Sequence, residues 1–136
     1  MMMTRDFPKQ IDSLESIFEF VAEFATVNGV GGDTLNAMQF GVEEIFTNLV
    51  KYNSETSNDV AIELDITNGR MALSLLDQDV HSYDLTKSPP VDITQPLHER
   101  TPGGLGIHLV KQMMDDVQYE YGGRTAKITL IKYLEK

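Results

Sequence analysis

The sequence predicts an α+β domain, a two-layer α/β sandwich in which a mostly antiparallel mixed sheet carries helices on one face. Three observations predict it. Two long segments with helical apolar spacing come first, and a shorter one comes late. The strand-like segments fall into two pairs, each joined by a tight turn, Asn68-Gly69 and Gly122-Gly123. Strands joined by tight hairpins pair antiparallel, and grouped rather than alternating helices argue against a doubly wound parallel sheet. The 136 residues suit one domain, 1–136, with no internal repeat. A chain of this size buries roughly two-thirds of the surface its unfolded form exposes, so it needs no disulfide or structural metal to fold.

The first helix is expected over Ile11 to Asn28. Leu14, Ile17, Phe18, Val21, Phe24 and Ala25 share one face. Asp12 and Glu15 have the spacing of a capping box, and Asn28-Gly29 supplies the stop. After a glycine link, Asp33 is placed to cap a second helix running to about Tyr52, with Leu35, Met38, Val42, Ile45 and Leu49 as its apolar stripe. Strands follow. Val60, Ile62, Leu64 and Ile66 alternate with more polar residues; Asn68-Gly69 is the strongest short hairpin signal; Met71, Leu73 and Leu75 alternate on the return. From Gln78 to Pro102 periodicity is lost and four prolines punctuate the chain. So long a stretch is either a lid or binding loop or a plain surface loop. Leu105 to about Asp115 reads as a third helix, and Val117–Tyr121 with Ala126–Tyr133 as a closing hairpin.

Composition narrows the function classes. The formal net charge is −10, which repels nucleic acid and anionic membrane alike. The acidity leaves two readings, a basic protein partner or a solvated surface. No cysteine is present, no stretch approaches the roughly 18 apolar residues of a membrane span, and no apolar signal core follows Arg5. A cytoplasmic protein is expected. His81, His98 and His108 lack metal-type spacing.

Two motifs carry chemistry. In Val42-Glu43-Glu44-Ile45-Phe46-Thr47-Asn48, Glu44 and Asn48 stand one helical turn apart at the flank of the apolar stripe. A carboxylate there can accept a proton, and a carboxamide oxygen suits one position of a magnesium shell. The alternative is two ordinary solvated helix residues. In Pro102-Gly103-Gly104-Leu105-Gly106, bare backbone amides precede a helix and can hold phosphate, or simply make a tight turn. Asp77 closes an apolar strand run. It is either an acceptor for a base amino group or a common strand-ending residue.

Taken together, the order Glu44-x3-Asn48, Asp77 at a strand end, a proline-broken loop and Gly103-Gly104-Leu105-Gly106 opening a helix resembles the Bergerat-fold ATPases, which include gyrase, MutL and the histidine kinases. More narrowly, Glu43 to Tyr52, Pro102 to Val110 and Met114 to Tyr121 resemble the anti-sigma-factor serine/threonine kinases, over nearly the whole chain. The resemblance implies a Bergerat-type ATP-binding fold with an ATP-lid loop at about 78–102. It implies Glu44 as general base and Asn48 as the ligand of Mg2+. It also implies ATP contacts from Asp77 to adenine and from Gly103, Gly104, Leu105 and Gly106 to phosphate, with Thr125 or Ala126 near the base. Such proteins bind a sigma factor, phosphorylate a serine of a small antagonist protein, and commonly form homodimers. One departure stands out: Asp79 occupies the place of a motif glycine, adding a side chain and a negative charge near a polyanion. A non-catalytic protein-binding regulator of the same fold is the alternative.

Overall fold

The computed structural model describes residues 2–52, 58–78 and 104–134. Their elements are β1 (Met2–Phe7), a 3-10 turn (Ile11–Ser13), α1 (Leu14–Val27), α2 (Gly32–Tyr52), β2 (Val60–Thr67), β3 (Arg70–Gln78), α3 (Gly104–Met113), β4 (Asp116–Gly122) and β5 (Thr125–Tyr133). The five strands form one sheet in the order β1-β2-β3-β5-β4, and every pairing is antiparallel. The sheet is thus more uniform than the mixed one expected. The helices lie on one face, as expected.

Strand alternation explains the layering. Phe7, then Val60, Ile62 and Leu64, then Met71, Leu73 and Leu75, then Ile128 and Leu130 are buried on successive strands. They meet Ile17, Val21 and Phe24 of α1, Met38, Val42, Ile45, Phe46 and Leu49 of α2, and Ile107 and Val110 of α3 in one core. The opposite face is more polar; Ser74 Oγ and Thr129 Oγ1 lie 2.9 Å apart there across β3 and β5. Helix α2 approaches the sheet closely at Gly41, where a β-carbon would stand 2.7 Å from Leu130 Cδ1. No helix among the described residues is long and apolar enough to cross a membrane.

Several expectations are corrected in detail. The N-terminal strand β1 was not anticipated. The first helix starts at Leu14 after a 3-10 turn, and no capping box forms: Asp12 lies inside that turn, and the N-cap Ser13 accepts no helix N–H with its side chain, its Oγ donating to Pro8 O at 2.7 Å. Asp33 lies inside the first turn of α2, and the Gly31 carbonyl accepts from Leu35 N–H at 3.0 Å. There Asp33 still opposes the positive helix end. The closing hairpin turns at Gly123-Arg124, both with positive φ (57° and 61°), one residue later than expected. The α1 stop is as expected: Val30 N–H reaches Ala25 O at 2.8 Å and Gly29 N–H reaches Thr26 O at 3.3 Å, a Schellman end. Asn68 and Gly69, with φ of 53° and 74°, make the expected β2–β3 hairpin turn.

Candidate functional site

The candidate residues come from one side of α2, the start of α3 and one end of the sheet. Gly41 and Glu44, three apart on α2, both face α3. A β-carbon at Gly41 would lie 3.4 Å from Met114 Cε and 3.9 Å from Val110 Cγ1, and one at Gly106 would overlap the Glu44 carboxylate, 2.7 Å from its Cδ. The first motif and the glycine motif are therefore in direct apposition, although about sixty residues separate them in sequence. At Gly106 the missing β-carbon leaves room for the carboxylate where it now lies.

Glu44 is half-buried. Burial first, then the neighbouring Glu43 charge, push its pKa up from the ordinary carboxylate value, while Lys51 pulls it back. Its proton affinity is thereby raised, which suits a proton acceptor. One turn on, Asn48 is buried, only 6% exposed, deeper than the flank position expected from its helical angle. Its Nδ2 donates to Glu44 O at 2.7 Å. Because that carbonyl can only accept, the amide nitrogen must be the atom turned to the helix. The carboxamide oxygen is left as the atom available to a hard cation, so the donor set fits one magnesium ligand. Among the described residues no cluster of three or more His, Cys, Asp or Glu could hold a metal. A cation here would draw its other ligands from phosphate and water.

Asp77, next to last in β3, is fully buried. It continues the row Met71, Leu73 and Leu75, so it faces the helix layer. Register places it between Val60 of β2 and Ala126 of β5. Ala126 is therefore the β5 residue beside it. Thr125 pairs with Gln78 and Gly122, and by alternation it sits on the opposite face from Asp77. Asp77 Oδ1 lies 2.6 Å from Lys9 Nζ, and the two side chains are 1% and 3% exposed. Sequence reading missed Lys9. Its signal was the strand that precedes it, because β1 brings residue 9 to the same end of the sheet as Asp77.

Gly104 and Leu105 form the first turn of α3, as the glycine motif implies. Gly103, Asp79 and residues 79–102 of the expected lid loop lie outside the described residues. The site seen is thus Glu44 against Gly106, Asn48 one turn beyond Glu44, and Asp77 at the sheet end held by Lys9.

Comparison with known proteins bears on the whole arrangement. Residues 7–132 match the histidine kinase-like ATPase domain family. The serine-protein kinases RsbW of Bacillus cereus (strain AH187) and Bacillus anthracis (strain A0248) are each 29% identical over 122 residues, covering 85% of this chain and 74% of theirs. Among solved structures, one holding the RsbU and RsbW domains of a Mycobacterium tuberculosis protein superimposes with a TM-score of 0.72 at 11% identity, over 100% of this chain and 33% of that one. A histidine kinase domain from the blue-light-activated kinase of Erythrobacter litoralis superimposes with a TM-score of 0.56 at 15% identity, over 94% of this chain and 62% of that one. At such identities the structures speak to the fold alone. The family match over nearly the full length, the shared layering and the apposed motifs lead to one assignment: the chain belongs to the histidine kinase-like ATPase domain family, and within it resembles the RsbW serine-protein kinases.

Proposed function

We propose that this protein is an ATP-dependent serine/threonine protein kinase that acts as an anti-sigma factor and phosphorylates a small antagonist protein, switching its sigma-factor partner. The observation that carries the reading is the Glu44 carboxylate lying against Gly106, one turn from a buried Asn48 whose oxygen is left for a cation. Phosphoryl transfer depends mostly on positioning and charge neutralisation. Magnesium, when bound, neutralises phosphate charge. The chain's own residues then have distinct tasks. Asn48 contributes one neutral ligand. The first backbone amides of α3 face phosphate oxygens at the positive helix end. Glu44 takes the proton of the attacking serine hydroxyl, and its raised proton affinity favours that transfer. Asp77 accepts a hydrogen bond from the base amino group. A net charge of −10 opposes an acidic nucleotide, so a cation that neutralises phosphate charge strengthens ATP binding. The likeness to the RsbW serine-protein kinases supports a protein serine as acceptor; a cytoplasmic setting and a homodimer belong to the same reading.

The decisive test mixes the purified chain, labelled ATP, magnesium and the candidate antagonist, and reads phosphoserine. Transfer that falls when Glu44→Gln is introduced, with nucleotide binding retained, supports the kinase. Lys9 on Asp77 favours a second reading, a protein-binding regulator with weak nucleotide affinity. Calorimetric titration of ATP with and without magnesium separates the two.

A further inference from the structure

Lys9 and Asp77 form an ion pair sealed from solvent, 2.6 Å between Nζ and Oδ1. The fold builds this contact across the sheet. Phe7 pairs with Val60, and Val60 with Asp77. Past Phe7 the chain is pinned, because Pro8 O accepts from Gln10 N–H at 2.8 Å and from Ser13 Oγ at 2.7 Å. The Lys9 stem therefore starts from a fixed point, crosses the end of β2, and lays its ammonium on the β3 carboxylate.

A buried carboxylate and a buried ammonium have both lost hydration, and their pairing offsets part of that cost. A base amino group is a neutral donor, and a carboxylate binds it less strongly than it binds an ammonium. Oδ1 is taken by the ammonium at 2.6 Å, so a base amino group that reaches that oxygen must displace it. We propose that Lys9 is an affinity-setting residue of the nucleotide site. Its ammonium holds Asp77 in the free protein and must leave before an amino-bearing base can bind there. The proposal rests on the reading of Asp77 as base acceptor. The consequence is a nucleotide site whose strength is tied to the segment that joins β1 to α1. Nucleotide arrival expels Lys9 from the sheet end, and any change that holds this segment tighter weakens nucleotide binding.

Two measurements test it. In the unaltered protein, acetic anhydride labelling of lysines is followed by peptide mass spectrometry, with exposed Lys51 as internal reference. Lys9 should label at least about tenfold more slowly than Lys51 without nucleotide, and approach it in saturating ATP and magnesium. In parallel, ATP and inorganic tripolyphosphate are titrated calorimetrically into the parent and Lys9→Met. The variant should bind ATP about tenfold or more tightly than the parent, and tripolyphosphate, which has no base, no differently. ATP binding by the variant when the parent shows none gives the same support. Equal ATP affinity in both overturns the proposal and leaves the ATP reading intact. Weaker binding by the variant, with Lys9 still protected in ATP, makes Lys9 a reader of the base and overturns it as well. No ATP binding in either sinks the nucleotide reading, and this proposal with it. Should Lys9→Met fail to fold, the labelling of the unaltered protein decides.

Discussion

Replacing Gly106 by Ala separates the stability of this site from its chemistry. The new β-carbon would lie 2.7 Å from Glu44 Cδ and 3.4 Å from its Cγ. Carbon atoms pack at about 3.5–4.0 Å, so the carboxyl end must retreat by about 1 Å. The obstacle is the tip of a flexible side chain rather than backbone. Leaving its rotamer well costs about 0.5–1.5 kcal/mol. Against that, Ala in place of Gly within α3 gains about 0.8–1 kcal/mol of helix propensity. The two nearly cancel, so urea unfolding should place Gly106→Ala within about 1 kcal/mol of the parent. Catalysis has no such compensation, because a base displaced by 1 Å loses on the order of 10²-fold in rate. Quenched phosphotransfer to the antagonist should show that loss, with ATP affinity changed much less. The Glu44→Gln background supplies the control. If the methyl acts through Glu44, Gly106→Ala has little further effect there. An undiminished 10²-fold loss in that background would mean that the methyl blocks phosphate approach, and would refute the reasoning from Glu44. A stability loss above about 3 kcal/mol would refute the claim that the carboxylate can yield.

Three further outcomes are expected. Glu44→Gln should lower transfer by about 10²–10⁴-fold; its stability effect follows from the raised folded pKa. The folded state then holds this proton more tightly than the unfolded state, so parent stability falls as pH rises from the ordinary carboxylate range through the folded value. The Gln variant should match the parent in acid and gain on it above that window in pH-dependent unfolding. Asn48→Ala should weaken ATP binding with magnesium far more than without it, and chelation of the parent should mimic it; equal loss in both conditions would remove the metal role. Gly69→Ala, at φ of 74°, should destabilise the β2–β3 hairpin by about 1–2 kcal/mol in urea unfolding without moving ATP affinity.

Most of the fold was legible because its elements announce themselves locally. The α2 stripe of Met38, Val42, Ile45 and Leu49 is buried as its spacing requires, and Val60–Thr67 matches the strand read from alternation. What failed were features set by neighbours. In β1 the positions facing the helices are Met3, Arg5 and Phe7, so a charged residue interrupts the apolar alternation. The fold tolerates Arg5 at a sheet edge, with its guanidinium over the Phe7 ring at 5.6 Å. The capping box failed because Asp12 is drawn into a 3-10 turn, which leaves Ser13 at the N-cap with its Oγ donating to Pro8 O, five residues back. The last turn slipped by one residue because Arg124 takes the left-handed conformation that composition assigns to glycine.

The site divides along the same line. Glu44 and Asn48 were readable because a helix fixes their relation at four residues, whatever the rest of the chain does. Gly106 was readable as a glycine but not as a neighbour of Glu44, since that contact depends on how α3 lies across α2. Lys9 was unreadable for a compounded reason. Its role needs β1 to exist, to pair with β2 in one register, and to end opposite Asp77, and the first of these steps was hidden by Arg5. A one-residue shift of β1 would turn Phe7 out of the core and carry Lys9 off the carboxylate. Burial of Phe7, only 3% exposed, thus fixes the charge that faces the candidate base site. Hydrophobic register at the sheet edge and electrostatics at the sheet end are set by the same few residues.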